Sequence, residues 1–159
     1  MQKETKVLFV CLGNICRSPM AEAVLRHKAE KFGLTGILAV DSAGCADYHT
    51  GKPPHKGTCG ILEKHGISYA GMYARKIKKA DNDIFDCIVV MDTENYRDVE
   101  SLFGGNTEKV FLMSKFYGKP VNVPDPWYTN DFNETFRLID KGTDGLLDFL
   151  GLFPKNTVK

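Results

Sequence analysis

Cys11-Leu12-Gly13-Asn14-Ile15-Cys16-Arg17-Ser18, followed by Pro19, brings a thiol, a guanidinium and a hydroxyl into one short loop. Gly13 and Asn14 tolerate left-handed dihedrals, so the main chain between Cys11 and Arg17 can curl with its N–H groups inward. Ser18 and Pro19 suit an N-cap and a first helical position. Amides gathered at a helix N-terminus make a cradle for an anion of phosphate geometry. Arg17 adds a planar fork that is always charged. Donors that hold phosphate would equally stabilise a thiolate on Cys11, so the chemistry is attack of sulfur on phosphorus. The bland reading is a structural cysteine at a strand end beside a surface arginine. A Cys and an Arg at this spacing are a weak signal alone. Adding the following Ser, a strand before, a helix after and Gly-Asn inside leaves little room for coincidence. The loop lacks the Gly-x-x-x-x-Gly-Lys-Ser/Thr order of a nucleotide-binding loop and the three glycines of a dinucleotide fingerprint.

A thiolate that displaces an alkoxide or phenoxide from phosphorus needs a proton donor for the leaving oxygen. Asp125, in Val123-Pro124-Asp125-Pro126-Trp127-Tyr128, is the candidate. Prolines stiffen both sides, and Pro126 biases Asp125 toward an extended conformation that can aim its carboxyl inward. An aspartate that merely caps its loop fits the spacing equally well. Trp127 and Tyr128 fit either a satellite of the core or the walls of a slot that takes a flat aromatic group.

The elements that must position these residues follow from apolar patterning. Lys6–Cys11 and Cys87–Met91 are apolar on consecutive residues, as strands covered on both faces are. Ile37–Ser42 and Lys109–Met113 are expected to be their partners. Helices are expected over Pro19–Phe32, Gly57–His65, Thr93–Leu102 and Asp131–Leu150, with Gly33 and Gly66 ending the first two. In the first, Met20, Ala23, Val24 and Phe32 should face the core, and Glu22, Arg26, Glu30 and Lys31 the solvent. Strands alternating with helices imply an α/β fold, a parallel sheet with helices on both faces. Ligands of such sheets bind beyond the carboxyl ends of the strands, which is where the Cys11–Ser18 loop lies, between the first strand and the first helix. The long loops Ala43–Pro54 and Tyr117–Thr129 are the other places for function.

Composition narrows the classes further. At 159 residues the chain is expected to be one domain over residues 1–159. The longest apolar run, Val7–Leu12, falls far short of the ~20 residues of a membrane-spanning helix. Met1–Lys6 precede that run without a small-residue cleavage site, so no signal peptide is expected. With 21 Lys and Arg against 20 Asp and Glu, the net charge of +1 gives no field for holding nucleic acid or an anionic membrane. Five cysteines without a secretory signal suggest a reducing, cytoplasmic setting. A monomer is expected.

The Cys11–Ser18 loop, Val40-Asp-Ser-Ala43, Lys64-His-Gly-Ile67, Ala74-Arg75, Met91-Asp92 and Asp125-Pro-Trp-Tyr128 together resemble low-molecular-weight protein tyrosine phosphatases, in order and over nearly the whole chain. The resemblance implies a four-stranded parallel sheet and a two-step, cofactor-free and metal-free hydrolysis of phosphotyrosine in proteins through a phosphocysteine. It implies Cys11 as nucleophile, Arg17 as phosphate ligand and Asp125 as acid and then base. Ser18 would donate to the thiolate, and Asn14, supported by Ser42, would hold the loop's left-handed turn. Leu12, Tyr48, Trp127 and Tyr128 would line the mouth. Met72 falls where the family has a histidine in the network behind the loop, and it cannot hydrogen-bond as imidazole does. Relatives that hydrolyse phosphoarginine carry Thr at the position of Ile15, so Ile15 favours phosphotyrosine.

In relatives, the pair equivalent to Cys11 and Cys16 forms a reversible disulfide that protects the nucleophile; a small buried hydrophobe is the other fate of Cys16. Cys87 is expected in the core. Cys45, His49, His55 and Cys59 have spacing near that of a zinc site, but Pro53-Pro54 stiffens the middle and the matching loop of the family carries no metal. His27 and His65 are expected on solvated helix faces, and Lys76, Lys78 and Lys79 on an exposed one. A thioredoxin-coupled arsenate reductase shares the fold but needs further cysteines near the third strand, where Cys87 stands alone. A phosphate-binding module without catalysis would need neither Cys11 nor Asp125.

Overall fold

The structure, a computed structural model, describes residues 3–153. Residues 1–2 and 154–159 of the expected domain, and with them Met1 and Gln2 of the segment weighed as a signal peptide, lie outside the described residues. The elements run β1 (Thr5–Cys11), α1 (Arg17–Lys31), β2 (Leu38–Gly44), α2 (Lys56–Lys64), α3 (Asp81–Ile84), β3 (Cys87–Val90), α4 (Thr93–Leu102), β4 (Val110–Leu112), α5 (Ser114–Tyr117), α6 (Pro126–Thr129) and α7 (Phe132–Phe149). The four strands form one parallel sheet in the order β2-β1-β3-β4.

Strand β1 is interior, which explains its unbroken apolar run. Val7, Phe9 and Cys11 belong to the core on one face of the sheet with Met20, Val24 and Leu25 of α1 and Leu138, Ile139 and Leu146 of α7. Leu8 and Val10 belong to the core on the other, with Ile77, Phe85 and Val99 of α4. Helices cover both faces. Each fully buried side chain of this size contributes about 1.5–3 kcal/mol relative to exposure, and β1 supplies four with no exposure at all. Helix α7 is capped by the Asp131 carboxylate, which accepts the Glu134 N–H at 3.0 Å. Its Gly145 lies directly against α5: a Cβ there would stand 2.0 Å from the Phe116 carbonyl oxygen.

Two expectations are corrected near the site. Helix α1 begins at Arg17 rather than with Ser18 as cap; Cys16 occupies the cap position, and Pro19 falls within the first turn, where its missing N–H costs nothing. Glu22 does not face solvent. Almost all of the first half of α1 is enclosed between the sheet, α7 and the loop before it, and Glu22 is 6% exposed. The expected loop after Tyr117 also contains α6, with Asp125 at its cap. His65 ends α2, exposed but stacked on Phe136 at a centroid distance of 4.1 Å; Cys87 is buried, and Lys76, Lys78 and Lys79 are exposed.

Candidate active site

The chain leaves β1 at Cys11 and enters α1 at Arg17, so five residues must turn from the end of a buried strand into a helix. Asn14 takes the left-handed conformation this requires, with φ 58°. Gly13 does not share it; its role is space, since a Cβ there would stand 3.0 Å from the His49 ring. Asn14 is almost fully buried and both its side-chain polar atoms are used. Its amide donates to Ser18 Oγ at 2.7 Å and to Ser42 Oγ at 2.9 Å, and its oxygen accepts the Arg75 N–H at 3.0 Å. Among the described residues, the N–H groups of Gly13, Asn14, Ile15 and Cys16 find no acceptor, which leaves the cradle of donors free.

Cys11 lies at its base. Ser18 approaches the sulfur twice, with Oγ at 3.0 Å and its backbone N–H donating at 3.4 Å. The Ser18 oxygen accepts from Asn14, and its one proton has two acceptors within reach, the Cys11 sulfur at 3.0 Å and the Ala43 carbonyl at 3.4 Å. Arg17 is 2% exposed; Nη1 donates to the Asp92 carboxylate at 2.7 Å and to the Val123 carbonyl at 3.1 Å, and Nη2 to Asp125 at 3.4 Å. Its Nε is buried and has no partner among the described residues. Burial works to lower the Arg17 pKa, but negative charge on Cys11, Asp92 and Asp125 outweighs it and moves the pKa up.

These groups open on a cavity of about 320 Å³ lined by Cys11, Leu12, Gly13, Ile15, Cys16, Arg17, Tyr48, His49, Asp125, Trp127 and Tyr128. Every residue proposed for the mouth is there. Tyr48, Trp127 and Tyr128 are 70%, 53% and 77% exposed, so they are walls and not core. Asp125 caps α6, its Oδ1 accepting the Trp127 backbone N–H at 3.0 Å, and its Oδ2 lies 3.4 Å from Arg17 Nη2 on the cavity wall.

Behind the loop, Met72 is buried against the core. The network continues without a group at that position: Ser42 Oγ donates to Glu22 at 2.6 Å, Arg26 pairs with the same carboxylate, and Arg26 also donates to the Val40 carbonyl at 2.9 Å. Desolvation raises the Glu22 pKa against the lowering effect of Ser42 and Arg26. Cys16 is pushed up to about 12 by burial first, then by the charges of Cys11 and Asp125.

Cys45, His49, His55 and Cys59 do not converge. The Cys45 thiol faces the Asn95 carbonyl, His49 lines the cavity, His55 caps α2 and the Cys59 thiol donates to the Pro54 carbonyl. Four contributors escaped the sequence reading: Asp92, Glu22, Arg75 and His49. Glu22 and Arg26 do stand four apart on one helix, the spacing of a pair, which is the signal that could have found them. Asp92, directly after a buried strand and three residues before Asn95, carried the mark of a helix cap but none of an arginine partner.

Similarity to known proteins agrees with this geometry. The family model described as low molecular weight phosphotyrosine protein phosphatase matches residues 6–155. The chain is 48% identical over 144 residues to the low molecular weight protein-tyrosine-phosphatase YfkJ of Bacillus subtilis, covering 89% of this chain and 92% of that protein. The crystal structure of YfkJ superposes with a TM-score of 0.90 at 46% identity, covering 94% of this chain and 96% of that one. A Drosophila arginine phosphatase superposes with a TM-score of 0.84 at 31% identity, covering 92% and 98%.

Proposed function

The chain belongs to the low molecular weight phosphotyrosine protein phosphatase family and is a protein tyrosine phosphatase, a hydrolase of phosphoric monoesters; from this premise we propose how its residues divide the reaction. The phosphoryl group enters the cradle of Leu12–Cys16 amides, its oxygens taken by those donors and by the Arg17 fork. The Cys11 thiolate attacks phosphorus, the P–S bond forms as the P–O bond breaks, and Asp125 gives its proton to the departing phenolic oxygen. In the second step Asp125 takes a proton from water, the water oxygen bonds to phosphorus and sulfur leaves, helped by the Ser18 hydroxyl. Asn14 and Ser42 keep the cradle in shape. Arg17 stabilises the charge that builds on the equatorial oxygens in both steps.

The convergence of Cys11, Arg17 and Asp125 on one cavity carries this reading. Tyr48, Trp127 and Tyr128 supply flat walls for a phosphotyrosine ring, and Ile15 keeps the floor apolar. Phosphotyrosine-containing proteins are the substrates. Cys16 condenses with an oxidised Cys11 sulfenic acid to form a disulfide, releasing water and preserving the nucleophile. The chain acts as a monomer in the cytoplasm, a setting that five free cysteines suit.

Hydrolysis of p-nitrophenyl phosphate, lost on Cys11→Ser and inhibited by vanadate and phosphate, tests the reading. Phosphotyrosyl peptides should be turned over faster than phosphoarginyl ones. Arsenate-dependent oxidation of thioredoxin in place of hydrolysis would assign the chain to the reductases.

A further inference from the structure

Trp127 follows Asp125 by two residues, and two imidazoles lean on its ring. His49, from the loop after β2, lies with its ring centroid 5.6 Å from that of Trp127 at an interplanar angle of 49°; His55, at the cap of α2, lies 5.7 Å away at 76°. Both imidazoles are anchored in their turn. His55 Nδ1 accepts the Gly57 N–H at 2.9 Å, its ring stacks on Phe132 at 5.3 Å, and its backbone N–H donates to the Ile15 carbonyl at 2.7 Å. His49 meets the edge of Tyr48 at 6.4 Å and has Lys52 Nζ 3.5 Å from Nδ1. The support matters because α6 is otherwise weakly held. Pro126 is its only buried residue, and Trp127 is half exposed.

The Trp127 backbone N–H donates to Asp125 Oδ1 at 3.0 Å, which sets Oδ2 on the cavity wall, 3.4 Å from Arg17 Nη2. We propose that His49 and His55 are positioning residues for proton transfer: their rings hold Trp127, and Trp127 holds the Asp125 carboxyl toward the leaving oxygen. This rests on the reading of Asp125 as the general acid. Acid catalysis demands hydrogen-bond reach to the leaving oxygen, and a displacement of about 1 Å can cost ~10²-fold. Cys11, Arg17 and Asn14 are held by Ser18, Asp92 and Ser42. His49 also packs on Gly13, and the His55 N–H holds the Ile15 carbonyl. A loss through the cradle therefore falls on every ester alike, and only a loss through Asp125 separates esters by their need for a proton.

The test compares kcat/KM for phenyl phosphate, whose leaving group needs a proton, with that for 2,4-dinitrophenyl phosphate, whose leaving group departs as a stable anion. The variants are Asp125→Asn, His49→Ala, His49→Phe and the double variant His49→Ala/His55→Asn, in which Asn keeps the α2 cap. The double variant is expected to lose about tenfold more on phenyl phosphate than on the dinitrophenyl ester. His49→Phe, which restores a flat ring, should recover most of what His49→Ala loses. Equal losses on both esters, or none, overturn the proposal when Asp125→Asn does discriminate between them. If Asp125→Asn fails to discriminate, the acid assignment itself falls and the proposal with it.

Discussion

Arg17 and Asp92 are joined by a 2.7 Å hydrogen bond between Nη1 and Oδ2, and the second oxygen of Asp92 accepts the Asn95 N–H at 2.7 Å. One carboxylate therefore fixes the guanidinium of the phosphate site and caps α4. The strand end β3 places it, since Asp92 follows Met91 directly at the carboxyl edge of the sheet.

The two duties of Asp92 can be separated. Asn caps helices about as well as Asp, whereas Ala costs roughly 1 kcal/mol at a cap. Asp92→Asn should leave thermal stability near that of the parent while raising KM and the inhibition constant for phosphate several-fold. Asp92→Ala should add a loss of melting temperature to the same kinetic defect. Steady-state kinetics with calorimetry reads both.

Glu22 is the hidden end of the chain Asn14–Ser42–Glu22–Arg26. Glu22→Ala leaves the Ser42 hydroxyl without its acceptor and should cost about 1–3 kcal/mol. Glu22→Gln keeps an acceptor for Ser42 but gives up the charge that pairs with Arg26, so its cost should be smaller. Urea midpoints rank the two. Turnover of p-nitrophenyl phosphate should fall in the same order, because Ser42 shares Asn14 with the cradle.

Burial of thiols gives the fold a defined alkaline limit. Cys16, Cys45 and Cys87 are each raised from 9.0 to about 12, with desolvation the leading cause. Above pH about 9 the unfolded chain loses these protons while the folded chain keeps them, so the unfolded state gains and stability declines as pH rises toward about 12. Urea midpoints should be nearly level between pH 7 and about 8 and fall steadily beyond about 9. A flat profile through that range would contradict the burial of these thiols. Substituting Cys87 by Ala should lessen the decline while lowering stability at neutral pH.

Much of the fold was legible because its signals are local. β1 and β3 are buried on both faces, so their residues had to be apolar in succession, and the Cys11–Ser18 loop carries its chemistry in consecutive positions. What escaped depended on distance along the chain. Glu22 reads as a surface residue from its helix alone, and only the approach of Ser42 from β2 makes it an acceptor. Helix α1 starts at Arg17 with no side-chain cap on Cys16, and the first-turn N–H of Ser18 is taken instead by the Cys11 sulfur at 3.4 Å, an acceptor six residues before the helix. Trp127 and Tyr128 could not be divided between core and cavity until the packing of α6 against the imidazoles was known. Asp125 was legible only as an even choice between cap and acid; the structure shows the cap bond and sets the other carboxylate oxygen beside Arg17.

The central claim is that the Cys11 sulfur carries the phosphoryl group between the two steps. Asp125→Ala removes the base for the second step and should let that intermediate accumulate on substrates with good leaving groups, such as 2,4-dinitrophenyl phosphate. Rapid quenching followed by peptide mass spectrometry should find the phosphoryl group on Cys11, in an amount that rises to a substantial fraction of one per chain before steady turnover. A phosphoryl group on another residue, or turnover of that variant with no phosphoenzyme at any time, would contradict it.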